Sequence, residues 1–316
     1  KVDVTFANEA VIDLGIANEY NLFVFEDLIQ PSSDTEGKVA VGRSADLANY
    51  SVGYEYPNSN GTEDILVVGG NLTFRSGAVY SGNVVYGVST NLPINLTSIN
   101  NGTLIQNPDR IDFNAAREYL TSLSTQLGEY TPNGSVTFEW GSLNCSGTSP
   151  LLNVFEVSGA DLTLANNFQI NAPNGSVVVV NITGPYAKWT GGLVVTGTDK
   201  RNVLFNFPQA DSVRIHNIDV TGSVLAPHAH VNFVTGVQNG QMICRKLTGQ
   251  GQFNYAHFIG NVPVDTTIVN VAQVINSLPL DPDPDNNDSF ASINIDPRAG
   301  GTAGGGTGTG SGNWQL

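Results

Sequence analysis

Two pairs of glycines recur at one spacing. "LVVGG" at 66–70 returns as "VVYGV" at 84–88, so the glycine at Gly69 comes back at Gly87, an interval of 18. "GSVLA" at 222–226 returns as "GQMIC" at 240–244, and Gly222 and Gly240 repeat that interval. A fixed spacing of this size marks a stacked architecture, in which each turn of chain lies on the one before. It suits a triangular coil with three faces of about six residues, each a short strand, turned at corners by Gly or Asn in positive φ. The run from 176 reads that way: "VVVVNI", "GLVV", "NVLFNF", "SVRI", "SVLA", "HVNF", "QMIC", "QFNY". The expected fold is all-β, a right-handed parallel β-helix of about 18 residues per coil.

Stacking has a thermodynamic reason. One coil cannot cover its inward Val, Ile, Leu and Phe, but each added coil buries the face of the last, at about 25 cal/mol per Å² removed from water. One segment breaks the pattern. "DRIDFNAAREYLTSLSTQLG", 109–128, sets Ala116, Leu120, Leu123 and Leu127 on one helical stripe, with Asp112 as N-cap and Gly128 as stop. Such a helix is expected to pack along the side of the β-helix, stripe inward.

Composition narrows the function. Of 316 residues, 35 are Gly and only 13% are charged, the profile of short strands and tight turns, in a chain long enough to bury a proper core. A net charge of -15 with 13 Lys plus Arg repels phosphate backbones and anionic lipid, so nucleic acid is not an expected partner. No apolar run of about 18 residues is present, so no membrane insertion is expected. The chain begins at Lys1 and its only methionine is Met242, as expected once a secretion signal has been cut away. Cys145 and Cys244 leave two alternatives open, one disulfide or two unrelated buried thiols. The N-x-S/T sequons at Asn60, Asn71, Asn95, Asn101, Asn133, Asn144, Asn174, Asn181 and Asn287 are glycosylation candidates in a eukaryotic secretory host.

The order of motifs resembles the choice-of-anchor A domain family. The opening "LGIANEYNLFVFEDLIQPSSDTEGKVAVG" (14–42), then "DILVVGGNL", "GNVVYG", "IDFNAAREYL" and the closing stretch 202–260 carry the resemblance, over roughly residues 12–263. It implies a secreted or surface-displayed protein of the adhesin kind, some members binding collagen, and a distant similarity to microbial ice-binding β-helices. The chain departs from the family at His228, where a small polar residue is usual after "LAP". It also shows no LPxTG-like signal or terminal apolar anchor, so the usual attachment is missing or already cleaved.

Candidate sites are few. His228 and His230 share a face if they lie in one strand, but zinc needs further ligands and His216 and His257 are the only other histidines, so the pair reads as scaffold. "LDPDPDNNDSF", 280–290, spaces Asp281, Asp283 and Asp285 as a calcium loop does, yet Pro282 and Pro284 stiffen it and Ser292 stands where a bidentate Glu belongs. An acidic linker competes with Ca2+ there, and no other cofactor is expected. Basic residues are too scattered for a polysaccharide-cleaving site, and no enzyme motif is present. An ice-binding face would repeat Thr at the coil period; Thr196 and Thr198 begin such a ladder, but Arg214 and His216 stand one period later. Tyr54, Tyr56, Trp140, Tyr186 and Trp189 are candidate exposed contacts.

The organisation expected is a β-helix domain over 1–264, a connecting strand and acidic Pro-rich linker over 265–298, and a Gly-rich tail over 299–316. β-Helices leave unpaired edges at their ends, and "DTTIVNVAQVINSL", 265–278, pairs either with such an edge on a neighbouring subunit or with its own domain. The two functional expectations are a head-to-tail homopolymer of an extracellular filament or sheath, and a monomeric adhesin binding an extracellular matrix protein or glycan.

Overall fold

A computed structural model describes residues 12–92, 100–260, 267–273 and 288–294. The chain divides into two units, Ala10–Val262 and a second formed by Lys1–Glu9 with Pro263–Leu316. In the second, Thr267–Gln273 pairs antiparallel with Asp288–Asn294. The strand read at 265–278 is thus joined to a later segment of its own chain. Asp281, Asp283, Asp285, Asn287, Asn95 and the tail 299–316 lie outside the described residues.

The larger unit is a parallel β-helix with three faces. On the first, ten strands form one ladder: Leu152–Ser158, Val177–Thr183, Val203–Asn206, 223–226, 242–244, Leu22–Val24, Val39–Val41, 66–68, 84–86 and Leu104–Gln106. The order is not that of the sequence. The chain starts in the middle of the stack, where Leu22–Val24 lies on residues 242–244, and climbs to one end at Leu104–Gln106. It then returns along helix α1 (Phe113–Gly128) and rebuilds the stack from the other end. Ile12 N–H donates to Gly260 O at 2.9 Å, so the two ends of the unit meet.

Strands on this face are buried on both sides, which is why they read as unbroken apolar runs. Leu22, Val24, Val39 and Val68 point into the prism, while Phe23, Ala40, Val67, Val85, Leu204, Leu225 and Ile243 point outward beneath Ala116, Leu120 and Leu127 of α1. Asp112 caps the helix, its Oδ1 accepting from Ala115 N–H at 2.9 Å. Ser124 takes a buried place on the stripe because its hydroxyl meets Asn206 Oδ1. Asn206 Nδ2 in turn donates to Ser124 O and to Asn181 Oδ1, both at 2.8 Å, and Asn181 Nδ2 donates to Leu127 O at 2.7 Å. Glu26 adds an electrostatic tie, meeting Arg245 (3.2 Å), Arg117 (3.4 Å) and Arg43 (3.8 Å), one each from the strand below, the helix and the coil above.

The coils are not uniform. Gly87 does sit over Gly69 and Gly240 over Gly222: a Cβ on either upper glycine would lie far inside contact distance of the carbonyl oxygen below, so only glycine fits. Elsewhere on the first face the register steps by 17 from Leu22 to Val39, by 27 from Val39 to Leu66 and by 25 from Leu152 to Val177. The expected constant period of 18 is therefore corrected to a range. The wide coils need larger fillers: Phe155, Phe168, Trp189, Phe205 and Phe207 pack the interior there, with Trp189 and Phe205 ring centroids 4.7 Å apart. The narrow coils close around Leu22, Val24, Val224 and Met242, as close-packing of an interior requires.

Candidate binding face

The second face stacks Tyr186–Trp189, 212–215, 230–233, 246–249, Leu28–Gln30, Ala45–Leu47, Asn71–Phe74 and Ser89–Thr90. The third begins with a separate four-stranded sheet of Ser135–Glu139, Ser142–Ser146, Asn167–Asn171 and Gly192–Thr196, followed by 218–221, 236–239, Gln252–Asn254, Ser33–Thr35, Tyr50–Val52 and Gly77–Val79. That four-stranded sheet pairs throughout without a register shift.

Its regularity comes from clean alternation. In "SLNCS", "NFQIN" and "GLVVT" the second and fourth residues, Leu143 and Cys145, Phe168 and Ile170, Leu193 and Val195, face the core. The odd positions face out in straight rows with no bulge: Ser142–Asn167–Gly192, Asn144–Gln169–Val194 and Ser146–Asn171–Thr196. The antiparallel strand extends them with Glu139, Thr137 and Ser135. Strand spacing of about 4.8 Å and a side-chain repeat of about 6.7 Å along each strand set these residues in a grid. Of its outward residues only Glu139 carries charge.

The grid is pre-ordered. Asn167 Nδ2 donates to Ser142 Oγ (3.2 Å), Thr196 Oγ1 to Asn171 Oδ1 (3.2 Å), and Ser135 Oγ to Ser146 O (3.3 Å). Side chains that already hold one another lose little freedom on meeting a partner. At the rim, Trp140 and Gly141 both take positive φ, 53° and 76°, in the hairpin turn between the first two strands. Trp140 is fully exposed there, in a conformation costly for a bulky residue. The grid stops at Thr196, because Asn217 at φ 53° and a register shift open a notch between Gly192 and Asp219.

The other expected residues scatter. Tyr54 and Tyr186 are exposed and Tyr56 is half-buried, but Trp189 is buried, correcting its reading as a surface contact, because a wide coil needs its volume inside. Thr196 lies on the grid, whereas Thr198 is buried and donates to Ser176 O at 2.6 Å. The expected ladder partner Arg214 stands on the second face, since the coil interval here is 25 to 26 and not 18. His228 and His230 are half-buried; His230 Nε2 is 2.9 Å from Thr248 Oγ1, and the described residues hold no group of three metal-ligating side chains.

Cys145 and Cys244 are both buried and free, which corrects the disulfide alternative. Cys145 belongs to the first coil on the third face and Cys244 to the first face four coils on, several strand spacings apart, whereas a disulfide needs Cα atoms within about 7 Å. Burial pushes both thiols up, Cys145 to about 12. Among the sequons, Asn60, Asn71, Asn101 and Asn174 are exposed, Asn133 is exposed with its amide bonded to the 152–154 strand edge, and Asn144 is half-buried in the grid. Asn181 is buried with both amide groups engaged, so it is removed from the glycan candidates.

Sequence reasoning passed over the amide rows, although a signal existed. "SLNCS", "NFQIN" and "GLVVT" start 25 residues apart, an interval that the glycine repeat of 18 masks.

Solved structures similar to this chain include an ice-binding protein of the Antarctic ascomycete Antarctomyces psychrotrophicus, 11% identical over 79% of this chain and 98% of that one, with a TM-score of 0.37. A domain of ice-binding protein 1 from Shewanella frigidimarina is 11% identical over 79% of this chain and all of that one, with a TM-score of 0.38. An ice-binding protein from an Arctic yeast is 12% identical over 83% and 100%, with a TM-score of 0.34. No curated protein matches the sequence. Residues 13–255 match the family described as "Putative Ice-binding-like adhesive domain". The chain belongs to that ice-binding-like adhesive family.

Proposed function

We propose that this protein is an adhesive module of the cell exterior, and that the grid on the third face, charged only at Glu139, grips an extended hydrogen-bonding surface, a neutral polysaccharide. The observation that carries the reading is the in-register array of Ser142, Asn144, Ser146, Asn167, Gln169, Asn171 and Thr196, held by its own hydrogen bonds and flanked by the exposed Trp140. Amide and hydroxyl groups donate and accept toward sugar hydroxyls, and an exposed indole offers an apolar plate to a pyranose ring. A face of straight, in-register rows fits a partner that is itself repetitive or fibrous. The finer family reading, choice-of-anchor A, and export to the cell surface belong to the same proposal.

Adsorption of the full chain to chitin, cellulose and immobilised collagen tests it. Saturable binding to a polysaccharide is expected, and binding to collagen alone contradicts it. The family match favours a second reading, ice, for which the same grid would order water. Thermal hysteresis or incorporation into growing ice, without polysaccharide binding, would select it. The filament reading adds self-assembly through 265–316; it predicts that deleting 299–316 shortens assemblies seen by negative-stain microscopy, and unchanged lengths would remove it.

A further inference from the structure

The chain carries few cations, and most of those in the described residues are paired. Among the described residues, Lys38, Arg43, Arg75, Arg110, Arg117, Arg201, Arg245 and Lys246 each meet a carboxylate within 4 Å. Lys200 does not, and neither do Lys188 and Arg214. Those last two are not scattered: Lys188 and Arg214 are directly opposite each other on adjacent parallel strands of the second face, both pointing outward.

That placement is unfavourable by itself. Like charges directly opposite across a strand pair destabilise a sheet, and a chain of net charge -15 has carboxylates to spare. Asp211, just before the strand, and Asp161 in the short helix α2 (Gly159–Leu164) form no ion pair with them. Lys188 N–H donates to Thr163 Oγ1 of that helix at 2.9 Å, which fixes the strand, while its ammonium and the Arg214 guanidinium have no protein partner among the described residues. Around the two cations the outward positions are Tyr186, Ser212 and Asn232, with His230 and Lys246 continuing the next row. Tyr186 is exposed, and the hydroxyl and amide are sugar-type hydrogen-bonding groups.

We propose that Lys188 and Arg214 form a second binding strip, for a carboxylate-bearing polysaccharide, with Arg214 taking one uronate carboxylate through its fork and Lys188 the next along the stack. An Arg fork matches a carboxylate in two parallel hydrogen bonds, which a compact ammonium cannot do. Tyr186 supplies a ring face for the sugar between. The chain's net charge of -15 repels any polyanion at a distance, so the strip takes a short uronate stretch in direct contact, at an ionic strength that screens the more distant carboxylates. The strip lies on a different face from the grid and is separable from it.

The test is titration of the full chain with polygalacturonate, its fully methyl-esterified form and dextran sulfate, starting at about 0.1 M salt, where the Debye length is about 10 Å. The strip predicts binding of polygalacturonate that weakens with added salt and drops at least tenfold on methyl esterification. Lys188→Gln with Arg214→Gln should lose binding at least tenfold while melting at the same or a higher temperature, because the repulsion is gone. Arg214→Lys should fall between. Gln169→Arg in the grid should leave polygalacturonate binding intact, which keeps failure of this strip distinct from failure of the adhesive face. Equal binding of the esterified polymer, stronger binding of dextran sulfate, or an unaffected double variant would overturn the proposal. So would a wild-type oligomer that the double variant dissociates, because the strip's partner would then be a second copy.

Discussion

Leu22 and Met242 are direct neighbours on one parallel ladder, although they come from opposite ends of the unit's chain. Their contact joins the half of the stack built first to the half built last. Every other coil lies on one adjacent in sequence or is reached through α1, so this seam decides whether the prism is one body.

Leu22→Ala or Met242→Ala should therefore cost about 2–5 kcal/mol, the range for emptying a fully buried site. The double variant should cost less than the sum, because the two side chains share one cavity wall. Denaturant unfolding of the three variants measures this; strict additivity would place the two residues in separate environments.

Asn206 holds α1 to the stack. Asn206→Ala strands Asn181 Oδ1 and Ser124 O in a buried site, at about 1–3 kcal/mol per stranded group. The loss should appear as faster amide exchange in the last turns of α1, and an unchanged exchange pattern would contradict the tie.

Acid should loosen the molecule before its carboxylates titrate. His230 lies below the ordinary histidine value through burial and then the nearby Lys246 and Arg245, and His257 does so through burial and then Lys38. Protonation is thus costlier folded than unfolded. Their contribution is complete above the unfolded value of about 6.5 and is lost as pH falls through the lower folded values. The melting temperature should hold above about pH 7 and decline toward about pH 5. Replacing His230 and His257 together by Gln should flatten that decline, and an identical profile would assign it elsewhere.

Cys145 and Cys244 should ignore a thiol reagent in the native protein and react, both of them, once it is unfolded, because burial keeps each protonated. Native labelling of either would show that its coil opens.

How much of this was written in the sequence follows from local geometry. Gly69 with Gly87 and Gly222 with Gly240 were legible because a backbone-on-backbone contact admits only glycine, and α1 was legible because Asp112 and the apolar stripe act within a few residues. Register steps of 15 to 27 were not, since an excursion at a corner leaves no periodic trace. Nor was the seam, because parallel strands of Val and Leu fit any neighbour equally well and nothing local marks Leu22 as the partner of Met242. The binding grid was half-legible: its alternation is plain in "NFQIN", but its rows emerge only once the strands are set in their wider register.

The central claim, that the grid is the adhesive surface, is tested most directly by comparing Gln169→Arg with Thr196→Arg against a control pair on another face, Ser44→Arg with Thr73→Arg, in adsorption to chitin and cellulose. Long charged side chains should lift a fibrous partner off the grid and cut binding at least tenfold in the first pair only. Equal binding by both pairs would contradict the account.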